Sequence, residues 1–131
     1  MTLADEPEAR QKAELIGLIR HNLEERGFQV EAPGVVKGGS RTMQSFDLIA
    51  TKDGKKLPID VRVVLGGEVE LGDVLETYAK SLDTKVKPAV LVAMNNASSE
   101  ARKSAKSFGL LLVEGTNVTE ILSRLTGSLE S

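Results

Sequence analysis

The sequence predicts an α/β domain on a mixed β-sheet of about five strands, an antiparallel hairpin followed by parallel strand–helix–strand units, flanked by helices. Three observations predict it. An Asp53-Gly54 pair stands between two alternating, β-branched runs, and Asp-Gly suits the type I′ turn, which needs positive φ at both central residues. The runs at 88–94 and 110–113 are continuously apolar, as in strands buried on both faces. Amphipathic stretches of helical period separate these strands. With 131 residues, the chain has the size of one domain. That domain is expected to span 1–131, with 1–8 and 127–131 frayed.

Each element has a local reason. Between 8 and 26 the apolar residues Ala13, Ile16, Ile19 and Leu23 recur at three and four, with Leu15 and Leu18 widening the stripe. Gly27 stops this helix. Phe28-Gln29-Val30 alternates as a short strand, and 33–41, rich in glycine and basic groups, reads as a loop. The hairpin arms are 46–51 and 57–65. A helix over 72–83 is expected to bury Val74, Leu75, Tyr78 and Leu82. Serines at 98 and 99 can cap a helix through Phe108, which Gly109 closes. Thr116 or Asn117 can cap a last helix, with Gly127 as its stop.

Composition excludes several functions. Cysteine is absent and histidine occurs once, at His21. Disulfides, thiolate metal sites and a histidine-rich zinc site are therefore ruled out within one chain. Any metal must be held mainly by oxygen, which favours magnesium, manganese or calcium. A net charge of -2 argues against general charge-driven binding to nucleic acid, and 3% aromatics argue against a base-stacking surface. Residues 1–10 are acidic and carry no apolar segment, so no secretion signal is expected. No run is long enough to cross a bilayer. A cytoplasmic location without a membrane partner is expected.

The turn also fixes a register. With Asp53 and Gly54 as the turn, Lys52 pairs with Lys55, Ala50 with Leu57, Leu48 with Ile59 and Phe46 with Val61. The other face then opposes Asp47 to Asp60, and Ser45 to Arg62. Opposed like charges about 5 Å apart are destabilising. A shared divalent cation, protonation of one acid, or exposure of both to solvent at a sheet edge would each accommodate them. Asp60→Asn is expected to leave folding intact or improved.

Phe46-Asp47-Leu48-Ile49-Ala50-Thr51-Lys52-Asp53-Gly54-Lys55-Lys56, with Ile59-Asp60-Val61-Arg62 after it, resembles the core of Mrr-like restriction endonucleases. It also resembles archaeal Holliday junction resolvases. Both belong to the restriction-endonuclease-like, PD-(D/E)xK, superfamily. The likeness runs from about residue 13 to 125. It includes the strand Pro88-Ala89-Val90-Leu91-Val92-Ala93-Met94, the helix carrying Ala101 and Ala105, and the turn Leu112-Val113-Glu114-Gly115.

The resemblance implies a restriction-endonuclease-like sheet and a metal-dependent DNA endonuclease using Mg2+ or Mn2+. Asp47 and Asp60 are then the metal acids. Glu14 is the nearest first-helix glutamate, although its distance to Gly27 is slightly longer than the family spacing. Arg62 stands where lysine belongs, and arginine cannot shuttle a proton. Lys80 could supply the missing ammonium; a solvated helix face is its simpler reading. The loop with Lys37, Ser40 and Arg41 is a candidate DNA contact, with two cations and glycine amides to grip phosphate. The alternative is a catalytically inactive nuclease-fold module for nucleic-acid binding or protein interaction. DNA is the expected partner, and a homodimer is left open.

Overall fold

The computed structural model describes residues 6–130; the expected fraying of 1–5 and of Ser131 lies outside them. In chain order the elements are α1 (Glu6–Glu25), β1 (Gln29–Glu31), β2 (Gly34–Lys37), β3 (Met43–Phe46), β4 (Leu48–Lys52), β5 (Lys55–Val63), α2 (Leu71–Thr84), β6 (Val90–Met94), α3 (Ser99–Phe108), β7 (Leu111–Gly115) and α4 (Val118–Glu130). The main sheet has the order β1-β4-β5-β6-β7. Its β1–β4 and β4–β5 pairs are antiparallel; β5–β6 and β6–β7 are parallel. This is a mixed five-stranded sheet between helices. The β4–β5 register pairs Lys52 with Lys55, Ala50 with Leu57 and Leu48 with Ile59. Asp53 and Gly54 both take positive φ, 54° and 77°, as the turn requires.

Successive side chains of a strand point to opposite faces, and the sheet splits the core accordingly. Leu15, Ile19 and Leu23 of α1 pack with Ile121 and Leu125 of α4 against Leu48, Ile59, Val61, Val90 and Val92 on one face. On the other, Val74 of α2 and Ala101 and Ala105 of α3 pack against Leu91 and Ala93. Tyr78 stacks on Phe108 with centroids 4.4 Å apart.

Four expectations need correction. The stretch 33–41 is only partly a loop: 34–37 form β2, which pairs antiparallel with β3 in a separate two-stranded sheet. The helix α1 starts at Glu6 and not near Glu8; the Glu8 carboxylate accepts the Leu65 amide at 2.9 Å. The helix α4 runs through Gly127 to Glu130, because Leu129 beyond the glycine still reaches the core. The buried face of α2 is Val74, Thr77 and Ser81, while Leu75 and Leu82 are exposed. Thr77 and Ser81 can face inward because each donates a hydrogen bond there, to Asp60 and to the Val86 carbonyl.

Candidate functional site: an acid pair enclosed by cations

Asp47 lies in the bend between β3 and β4. Phe46 pairs with Gly34 in the small sheet, so the expected continuation of the hairpin through Phe46–Val61, Asp47–Asp60 and Ser45–Arg62 does not form. The chain leaves one sheet for the other at Asp47. The two acids are nevertheless neighbours. The Asp47 amide donates to Asp60 Oδ1 at 3.3 Å, and the Val61 amide donates to Asp47 Oδ2 at 2.7 Å. Each carboxylate thus closes a backbone bond that the broken ladder leaves open.

Repulsion between the acids is offset by the protein's own cations. Asp60 is buried, 1% exposed. Its Oδ2 accepts from Lys80 Nζ and from Thr77 Oγ1, both at 2.7 Å. Lys80 also donates to the Ser45 carbonyl at 2.8 Å and lies 4.8 Å from the centroid of the Phe46 ring. Its long stem buries against apolar surface while the ammonium is fully partnered. Lys80 is therefore a member of the acid-pair site and not a solvated helix residue. From α1, Lys12 Nζ reaches Asp47 Oδ1 at 3.2 Å.

Arg62 fills the space between β5 and α2. It lies 3.6 Å from Asp47 Oδ2, 3.3 Å from Asp73 and 3.1 Å from Glu76, and it donates to the Val61 carbonyl at 3.1 Å. Burial works against its charge. The combined fields of Asp60, Glu76, Asp47 and Asp73 outweigh that, raising its pKa above the ordinary value. A planar guanidinium brings five fixed donors to these four partners, where an ammonium would bring three.

Magnesium or manganese needs several oxygen ligands with room for water. Here an ion would have to displace Lys12 or Lys80 and lie beside Arg62. Among the described residues no group of three or more His, Asp or Glu side chains is placed to hold a metal. Glu14 does not complete the set; it is exposed and points about 200° around α1 from Lys12. As arranged, the donor set does not fit a divalent ion.

The glycine loop has its own partner. Asp83, near the end of α2, accepts from the Ser40 amide at 2.8 Å, from Ser40 Oγ at 2.7 Å and from Gln44 Nε2 at 2.8 Å. Its carbonyl accepts the Gly39 amide at 2.8 Å. A Cβ on Gly38 would collide with the Asp83 carboxylate. These bonds, led by that from Gln44, lower the Asp83 pKa. The glycine amides expected to grip a phosphate already donate to the Thr42 and Asp83 carbonyls, and the Ser40 amide to the Asp83 carboxylate, while Lys37 and Arg41 stay exposed. His21 is exposed and pairs with Glu25 at 2.9 Å, away from both places.

Sequence reasoning missed Lys12, Asp73, Glu76 and Thr77. Lys12 had a faint signal, three and four residues before Leu15 and Ile16, at the margin of the buried stripe. Thr77 had another, three residues from Val74 on a face that no apolar count would choose.

The fold can be compared with solved structures. The crystal structure of a protein of unknown function designated AF1548 is similar, with a TM-score of 0.71 and 24% identity over 86% of this chain. This chain spans 65% of that protein. At this identity the likeness concerns the fold alone. No family profile matches the sequence, and no curated protein matches it.

Proposed function

We propose that this chain is a restriction-endonuclease-like module, allied in form to the Mrr-like nucleases, that works by binding nucleic acid and not by cutting it. The observation that supports this reading most is the enclosure of Asp47 and Asp60 by Lys12, Arg62 and Lys80. The acid pair ties β3, β5, α1 and α2 together, which is a structural role. The partner is DNA by the same resemblance.

One observation favours a metal-dependent nuclease as a second reading. The Lys80 ammonium touches Asp60, which supplies a lysine where position 62 lacks one. Labelled duplex, branched and single-stranded DNA incubated with manganese decides between them. The expected outcome is retention of DNA in a binding assay, no cleavage by wild type or by Arg62→Lys, and a thermal midpoint unmoved by manganese. Cleavage that is lost in Asp60→Asn would overturn the binding reading in favour of the nuclease.

A further inference from the structure

A concavity of about 900 Å3 lies away from the acid pair. Strand β5 separates the two. From Lys55 to Asp60 is five strand steps, roughly 17 Å at about 3.3 Å each. The groove is formed by the tip of the β4–β5 hairpin, the end of α1, the segment joining α2 to β6, and Leu129 of α4. Among the described residues its cations are Arg26, Lys52, Lys55, Lys56, Lys85 and Lys87, and its one acid is Asp53. In a chain of net charge -2 this is a strong local excess.

The cations fall into two groups, and Arg26, whose Nε donates to Asn22 Oδ1 at 3.3 Å, belongs with Lys52 in the first. Lys52 is used by the fold: it donates to the Arg26 carbonyl at 2.8 Å and lies 5.3 Å from the Phe28 ring centroid. Lys55, Lys56, Lys85 and Lys87 are exposed and make no ion pair or side-chain hydrogen bond with the described residues. Two separate segments deliver them to one groove. Parallel register pairs Ile59 with Val90; continued back, it brings Lys87 level with Lys56. Four free ammonium groups held together repel one another, and an anionic ligand would relieve that repulsion. Between them the floor is apolar, with Phe28, Leu57, Val86 and Leu129 partly buried.

The geometry points to this groove as the seat of the phosphodiester backbone of a nucleic-acid strand, an assignment that rests on the binding reading above. A basic rim over an apolar floor suits a strand whose phosphates meet lysines and whose bases or sugars cover carbon. An acidic peptide suits it less. Extended peptides gain affinity by adding to a sheet edge, whereas β4 and β5 are interior strands and the stretch of β5 unpaired on its β6 side here, ahead of the pairing of Ile59 with Val90, is only four residues long.

The test is anisotropy of a short labelled single-stranded oligonucleotide across a salt series, with duplex and polyglutamate as competitors. Wild type is compared with Lys55→Ala/Lys87→Ala and with Lys37→Ala/Arg41→Ala at the end of β2 and in the loop after it. All four positions are exposed, and a melt by circular dichroism checks that each variant folds. The groove variant is expected to lose about tenfold in affinity at low salt. Its salt slope should fall by about 0.7 for each lysine removed, the value for single strands. The loop variant is expected to change less than about twofold. Loss confined to the loop variant would overturn the groove and leave the nucleic-acid reading standing. Wild-type failure to bind any oligonucleotide would overturn both. Displacement by polyglutamate as effective as by nucleic acid at equal charge would reassign the groove to an acidic protein.

Discussion

At the scale of single residues, Asp60 is where the structure reverses an expectation. Opposed charges in a hairpin suggest that Asp60→Asn would be neutral or helpful. In the fold Asp60 is the shared acceptor for Lys80, Thr77 and the Asp47 amide. The asparagine would leave Lys80 and Arg62 with less compensation in a place water barely reaches. Breaking one side of a fully buried pair costs about 3–5 kcal/mol. Lys80 keeps 14% of its side chain exposed, so a loss of about 2–4 kcal/mol is expected, read from the urea midpoint. An unchanged or raised midpoint would mean that the cations do not depend on this carboxylate. The acids themselves were legible as a pair, because the Asp-Gly turn counts residues outward from a fixed origin. Of their cations, Arg62 followed from its place on the strand and Lys80 stood only as one of two readings, while Lys12 was not legible, because both lysines arrive on helices whose rotation against the sheet is set by packing far away in sequence.

At the scale of elements, the same contrast holds for the small β2–β3 sheet. Its first strand is four residues long and begins at a glycine whose Cβ would strike the Ile49 side chain. Nothing within 34–37 announces that contact, and the surrounding glycines suggest a loop. The five principal strands and three of the four helices follow period and turn chemistry; α2 does not present its leucines inward, because buried hydroxyls with partners outbid them. The loop at 38–42 depends on Asp83. Its folded pKa lies below the ordinary carboxylate value, so its contribution to stability is present above that value. The contribution is lost as pH falls through the lower, folded pKa. In a pH titration by nuclear magnetic resonance, the Ser40 amide should shift with a midpoint below 3.8, the free-carboxyl reference. In Asp83→Ala the same amide should lack hydrogen-bond protection already at neutral pH. A wild-type midpoint at or above the reference would show the latch to be absent in solution.

At the scale of the whole molecule, one sheet serves two apolar layers. Leu91 and Val92 are adjacent on β6, yet each is buried in a different layer. If the layers melt together, Leu91→Ala and Val92→Ala should each move one shared transition. The loss expected is about 2–4 kcal/mol for the leucine and slightly less for the valine. Tyr78, the sole tyrosine, reports on the α2–α3 layer through its stack on Phe108. Its fluorescence and the backbone circular dichroism should trace coincident curves in both variants; separated curves would show that the layers melt independently. Charge, unlike the core, is divided unevenly. The described lining of the groove carries six cations and one acid, so a chain of net charge -2 bears -7 outside that lining. Such a molecule is an electric dipole. A polyanion drifting nearby would turn it groove-first before any contact, so that productive encounters quicken. That torque weakens as added salt shortens the reach of the field, to about 8 Å at physiological ionic strength.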